Sequence, residues 1–159
     1  MDMQGYELVT EQGTLQAVCV SEAKGVQKTE VRSGTLIEES GIEGDAHAGF
    51  MHRQVSLLAD ESVEKMREKG LTDLVPGAFG ENLVTTGIDL VSLHVGDRLR
   101  VGEHALLEVT QIGKECTDRC AIYYLAGDCI MPREGIFTRV LAGGEVTAGD
   151  AVEVWRKTG

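Results

Sequence analysis

Apolar residues in this chain recur mainly at every second position, in short runs ended by glycine, and that spacing predicts strands rather than helices. Between Thr14 and Val20, Leu15, Ala17 and Cys19 fall on one face and Gln16, Val18 and Val20 on the other, so this strand is expected to bury parts of both faces. Further strands are expected at Arg53 to Ala59, Leu83 to Thr85, Arg98 to Val101 and Ala105 to Ile112. Gly96-Asp97 and Gly149-Asp150 are turn dipeptides that each launch an alternating run. Many short strands separated by turns fit a barrel or barrel-like sandwich better than a parallel α/β sheet.

One segment has clear helical character. Asp60 is placed to cap a helix running to about Lys69, with Gly70 at the C′ position that favours left-handed geometry. Val63 and Met66 give it a narrow apolar stripe, and Glu61 and Lys65 stand at the i,i+4 spacing of a helical ion pair. A second helical piece is expected from Asp118 to Ala126, ending at Gly127.

Composition narrows the function. With 159 residues, 42% hydrophobic and 26% charged, the chain is long enough for one core and short for two, so residues 1–159 are read as a single domain. A net charge of −11 opposes general nucleic-acid binding, which needs a basic face to displace counterions. No run approaches the roughly 18 apolar residues of a membrane span. The start Met1-Asp-Met-Gln-Gly-Tyr-Glu lacks the cationic and apolar regions of a signal peptide, so the cytoplasm is the expected compartment. There, cysteines are more often thiols, ligands or catalysts than structural bridges.

The densest chemistry lies in Gly113-Lys-Glu-Cys116-Thr-Asp-Arg-Cys120, followed by Cys129 and Arg133. Cys116 comes just after the strand Ala105 to Ile112, where a rigid scaffold displays a loop. Lys114, Arg119 and Arg133 favour its thiolate, the form that attacks and ligates, while Glu115 and Asp118 oppose it. The alternative is an unreactive loop cysteine. Cys120 and Cys129 are candidate auxiliary thiols, and Cys19 is expected to pack as a small hydrophobe.

A second group lies upstream. Asp45, His47 and His52 share a glycine-spaced stretch open to ligands, with solvated histidines as the plain alternative. Arg53 offers a rigid donor fork to phosphate oxygens, or else pairs with Asp45 or Glu81. Asn82 either donates to a ligand or completes its turn. The backbone from Gly77 to Gly80 is a candidate anion nest.

Gly41-Ile-Glu-Gly-Asp45-Ala-His47, Arg53-Gln-Val-Ser-Leu-Leu58, Gly80-Glu-Asn82-Leu, Val95-Gly-Asp97-Arg-Leu-Arg-Val-Gly102 and Cys116 after its strand, with Arg133-Glu-Gly135-Ile-Phe-Thr-Arg139-Val and Gly149-Asp150, resemble in order the MOSC domain, named for the C-terminal domain of molybdenum cofactor sulfurases. The resemblance covers nearly the whole chain and implies a mostly β, MOSC-type β-barrel with a few short helices. It further implies a molybdenum cofactor (molybdopterin) bound near His47, Arg53, Asn82, Lys114 and Arg133. Cys116 maps onto the family's cysteine, either as a persulfide carrier or as a molybdenum ligand, which a soft thiolate suits. Glu115 stands where the family often has proline, and Cys120 and Cys129 lie outside the common pattern.

The leading reading is therefore a sulfur carrier that takes sulfur from a cysteine desulfurase or serves a molybdoenzyme. A partner is expected because the chain shows no lysine-bearing motif for pyridoxal phosphate. The alternative is a non-catalytic molybdenum or tungsten cofactor binding or delivery module, with the cysteines as ligands. A zinc site from Cys116, Cys120, Cys129 and His47 is a minor third reading, since the spacing lacks paired C-x2-4-C knuckles.

Overall fold

The alternating runs close into a barrel. The computed structural model describes residues 3–49, 51–113 and 130–158. Strands β1 (Tyr6–Val20), β2 (Thr29–Val31), β3 (Ser33–Ile37), β4 (Gly41–Ile42) and β5 (Val55–Ala59) lead into helix α1 (Asp60–Glu68). Then come β6 (Leu83–Thr86), a 3-10 turn (Leu90–Ser92), β7 (Arg98–Val101), β8 (Ala105–Ile112), the short helix α2 (Met131–Glu134), β9 (Ile136–Ala142), β10 (Gly144–Thr147) and β11 (Ala151–Lys157). The sheet order is β11-β7-β8-β9-β5-β6-β1, and β1 pairs again with β11, so seven strands form a closed cylinder with β2 on the outer edge of β1. Among the described residues only β5 and β6 run parallel, and α1 makes the crossover between them. A small sheet, β10-β3-β4, stands beside the barrel.

The barrel core gathers Leu15, Leu57, Leu83, Leu99, Leu107, Ile136, Val140 and Val152, each fully out of water. Each such leucine contributes about 1.5–3 kcal/mol through burial. A second cluster forms where α1 lies on the sheet: Leu58, Val63, Met66, Phe79, Ile130 and Phe137. Adjacent Leu57 and Leu58 point to opposite faces and enter different clusters, which is why β5 is buried along its whole length and reads as a continuous apolar run.

Most expected elements are present, with different ends. β1 starts at Tyr6, well before Thr14, because the polar segment before Gly13 pairs with β11 through two register shifts that break its alternation. β5 starts at Val55. Ala59 takes the N-cap position of helix α1 without a side-chain cap, and Asp60 is the first helical residue, paired with Arg67 at 3.3 Å. Glu61 and Lys65 do not pair: Glu61 accepts from the Gly87 N–H at 2.8 Å and Lys65 binds Glu134 at 2.9 Å. The helix expected from Asp118 to Ala126 lies outside the described residues. No helix is long and apolar enough to cross a membrane among the described residues.

Candidate functional site

Strand β8 reaches across to the segment that carries Arg53. Its pairing with β9 slips between Val109 and Gln111, so two β8 residues oppose one step of the partner at Thr110. In a regular strand neighbouring side chains point to opposite faces; a bulge cancels this. Thr110 and Gln111 consequently grip the same dipeptide. The Thr110 hydroxyl donates to the His52 carbonyl, while Gln111 Oε1 lies 3.0 Å from Arg53 Nε and 2.8 Å from His52 Nε2. Gln111 Nε2 donates to the Gly113 carbonyl at 2.7 Å.

The Arg53 guanidinium also lies 5.1 Å from the centre of the buried Phe137 ring, a cation–π contact. Among the described residues its Nη1 and Nη2 have no hydrogen-bond partner. The pairings expected as the alternative for Arg53, with Asp45 or Glu81, are not formed. Arg133 contacts the same apolar cluster, its Nη2 3.9 Å from Met66 Sδ. The structure thus sets both arginines around one apolar surface in a strongly acidic chain.

A second polar group is buried beside the loop that leads to Arg53. Lys28 Nζ meets Asp45 Oδ1 at 2.7 Å, Ser21 Oγ at 3.0 Å and His47 Nδ1 at 3.2 Å. An ammonium has three N–H donors and no acceptor, so these three contacts use it fully and make His47 Nδ1 an acceptor. The His47 proton then sits on Nε2. Asp45 also accepts the backbone N–H groups of Ser21 and His47, each at 3.0 Å. Burial pushes its carboxyl up, but the bonds from His47, Lys28 and Ser21 outweigh this and hold it well below the usual carboxylate range.

Lys28 was not expected from the sequence. It lies in a glycine-containing loop, and its partners are 7, 17 and 19 residues away in sequence, beyond any local pattern.

The supposed anion nest is already filled. The N–H groups of Ala78, Phe79 and Gly80 bond to Val75 O, Glu81 Oε1 and Gly77 O. The acceptor over the turn is thus the chain's own Glu81 carboxyl. This side chain is 1% exposed, Oε2 has no hydrogen-bond partner, and burial raises its carboxyl to about 7 despite bonds from the backbone of Glu81, Gly77 and Phe79.

Asn82 is corrected in the same way. It is fully buried, with Oδ1 accepting from Ser56 N at 3.0 Å and Nδ2 donating to Cys19 O at 3.1 Å. It stitches β1 to β5 at the start of β6 and presents no polar atom to a ligand. Cys19 is buried as expected, and burial pushes its thiol far up.

Lys114, Cys116, Cys120 and Cys129 lie outside the described residues. The chain on either side of them is fixed: Gly113 N donates to Gly135 O at 2.7 Å, and Ile112 pairs with Ile136. Among the described residues no three His, Cys, Asp or Glu side chains form a metal cluster.

Comparison with known proteins agrees with this architecture. The YUAD protein of Bacillus subtilis superposes with a TM-score of 0.77 at 22% identity, over 95% of this chain and 98% of that one. YiiM of Escherichia coli gives 0.62 at 25% identity, over 89% of this chain and 69% of that one. A protein named Reductase from Gibberella moniliformis is 29% identical over 128 residues, 72% of this chain. The chain spans about a fifth of that relative, 22% of its length. The family model for the MOSC domain matches residues 44–153, from the loop bearing Asp45 and His47 into β11, and the chain therefore belongs to the MOSC domain family.

Proposed function

We propose that this domain binds a molybdenum-cofactor-type ligand by its phosphate, at Arg53 with Arg133, and relays sulfur through Cys116. The observation that carries the reading is Arg53: a guanidinium fixed by Gln111 and Phe137, with both terminal nitrogens left for an oxyanion. Bidentate, charge-assisted bonds of this kind are strong enough to hold a phosphate against the protein's overall negative charge. His47 is held nearby in the chain, its ring by Lys28 and its backbone N–H by Asp45. Bound there, the cofactor would supply a metal centre able to accept sulfur. In the relay, the Cys116 thiolate attacks the outer sulfur of a donor persulfide, such as that of a cysteine desulfurase. A new S–S bond forms at Cys116, the donor S–S bond breaks, and the donor leaves as a thiolate.

The test separates binding from transfer. Arg53→Ala is expected to weaken binding of a phosphate-bearing pterin at least tenfold and to flatten its salt dependence. Cys116→Ser is expected to keep binding while abolishing uptake of labelled sulfane sulfur. Wild-type protein that binds the pterin and takes up no sulfur would favour the binding or delivery module instead. Unchanged affinity in Arg53→Ala and Arg133→Ala would sink the anion site.

A further inference from the structure

The Gln111 amide has one orientation that satisfies its surroundings. The Gly113 carbonyl can only accept, so Nε2 faces it at 2.7 Å and Oε1 is turned toward residues 52 and 53. Two donors then fill the two lone pairs of Oε1: Arg53 Nε at 3.0 Å and His52 Nε2 at 2.8 Å. This places the His52 ring proton on Nε2. Thr110, one residue earlier, holds the His52 carbonyl, and the β8 bulge is what lets both neighbours reach the same target. A strand in plain register would direct one of the two away.

From this geometry we infer that Gln111 is the positioning residue of the oxyanion site, fixing Arg53 through its Nε so that Nη1 and Nη2 remain together as a fork for a tetrahedral dianion. The inference rests on the anion-site reading of Arg53 given above. The contact with Phe137 has no directional donor–acceptor geometry and leaves the guanidinium free to turn; the Nε bond removes this freedom. A preorganised fork loses less entropy on binding than a free side chain.

The probe is inorganic sulfate, whose charge is constant near neutral pH, titrated into the full chain. Gln111→Met keeps the side-chain length without an acceptor. It is expected to bind sulfate about three- to tenfold more weakly, the size of one net hydrogen bond, with faster hydrogen exchange at Arg53 Nε. Gln111→Glu keeps an accepting oxygen for Arg53 Nε but loses the donor to the Gly113 carbonyl; exchange at Nε should stay slow, yet sulfate binding should fall further because the carboxylate competes for the guanidinium. Thr138→Val serves as the control, removing one buried hydrogen bond to Val55 O in the neighbouring strand pair.

Two results overturn the positioning role: sulfate affinity in Gln111→Met equal to wild type, or equal weakening in Gln111→Met and Thr138→Val. Should Gln111→Met not fold, wild-type sulfate affinity in Gln111→Ala, which removes the acceptor altogether, overturns it instead. Wild-type affinity in Arg53→Ala defeats the anion site itself, whereas loss in Arg53→Ala with none in Gln111→Met defeats only the inference about Gln111.

Discussion

Lys28 Nζ sits 2.7 Å from Asp45 Oδ1 with both side chains wholly out of solvent. Removing one partner strands the other charge, and Asp45 also anchors two backbone N–H groups. Lys28→Met is therefore expected to destabilise the protein by about 3–5 kcal/mol, seen as a lower urea midpoint with an unchanged slope. Since the folded Asp45 carboxyl titrates below its unfolded value, its contribution is complete above about pH 4 and is lost as pH falls further. A Lys28→Met midpoint within experimental error of wild type would show that the pair adds nothing.

Glu81 acts in the opposite direction. Its folded carboxyl is raised from 4.5 to about 7, chiefly by burial, so between those values the folded state holds a proton that the unfolded state has released. Its contribution falls as pH rises through that window and is flat above it. Glu81→Gln should remove this slope and exceed wild type by about 1–3 kcal/mol at pH 8. Parallel stability curves for the two proteins between about pH 5 and 8 would contradict the assignment.

Gly77 and Gly70 both have positive φ, 91° and 102°, but only Gly77 is crowded. A Cβ there would come 2.1 Å from Lys28 O, whereas nothing lies within 4 Å at Gly70. Gly70→Ala is expected to cost about 1–2 kcal/mol from left-handed backbone alone. Gly77→Ala should cost clearly more, because the residues around Lys28 must move. Equal losses of melting temperature would mean that the contact yields freely.

Cysteine labelling should follow burial. Cys19 is fully buried and its thiol is pushed far up, so it is expected to stay unmodified until the protein unfolds. Cys116 is expected to react first with limiting alkylating agent, ahead of Cys120 and Cys129. Peptide mass mapping ranks all four; early modification of Cys19 would leave the proposed relay without its nucleophile.

Much of the scaffold was legible because barrel strands carry local alternation. β7 and β8 end where their apolar pattern ends, and Gly149-Asp150 does launch β11. The polar half of β1 was not legible, since its register shifts against β11 erase the pattern. Arg53 could be singled out by its chemistry, yet nothing local marks Gln111, which reaches it from 58 residues away through a bulge. Lys28, Glu81 and Asn82 were missed or misassigned for one reason. Their roles depend on what tertiary packing places over them, and a buried polar residue in a turn reads like an exposed one.

The seam between β1 and β11 bears on how the protein is made. Tyr6 is registered against Lys157 and Thr14 against Ala151, so the domain's first strand waits for its last. Until residue 151 leaves the ribosome, β1 and β7 are open edges on an unfinished cylinder, the kind of surface that recruits stray strands. Closure also joins the most distant parts of the chain, which slows folding relative to local pairing. A nascent chain halted just short of β11 should therefore depend on chaperones far more than one in which β11 has emerged.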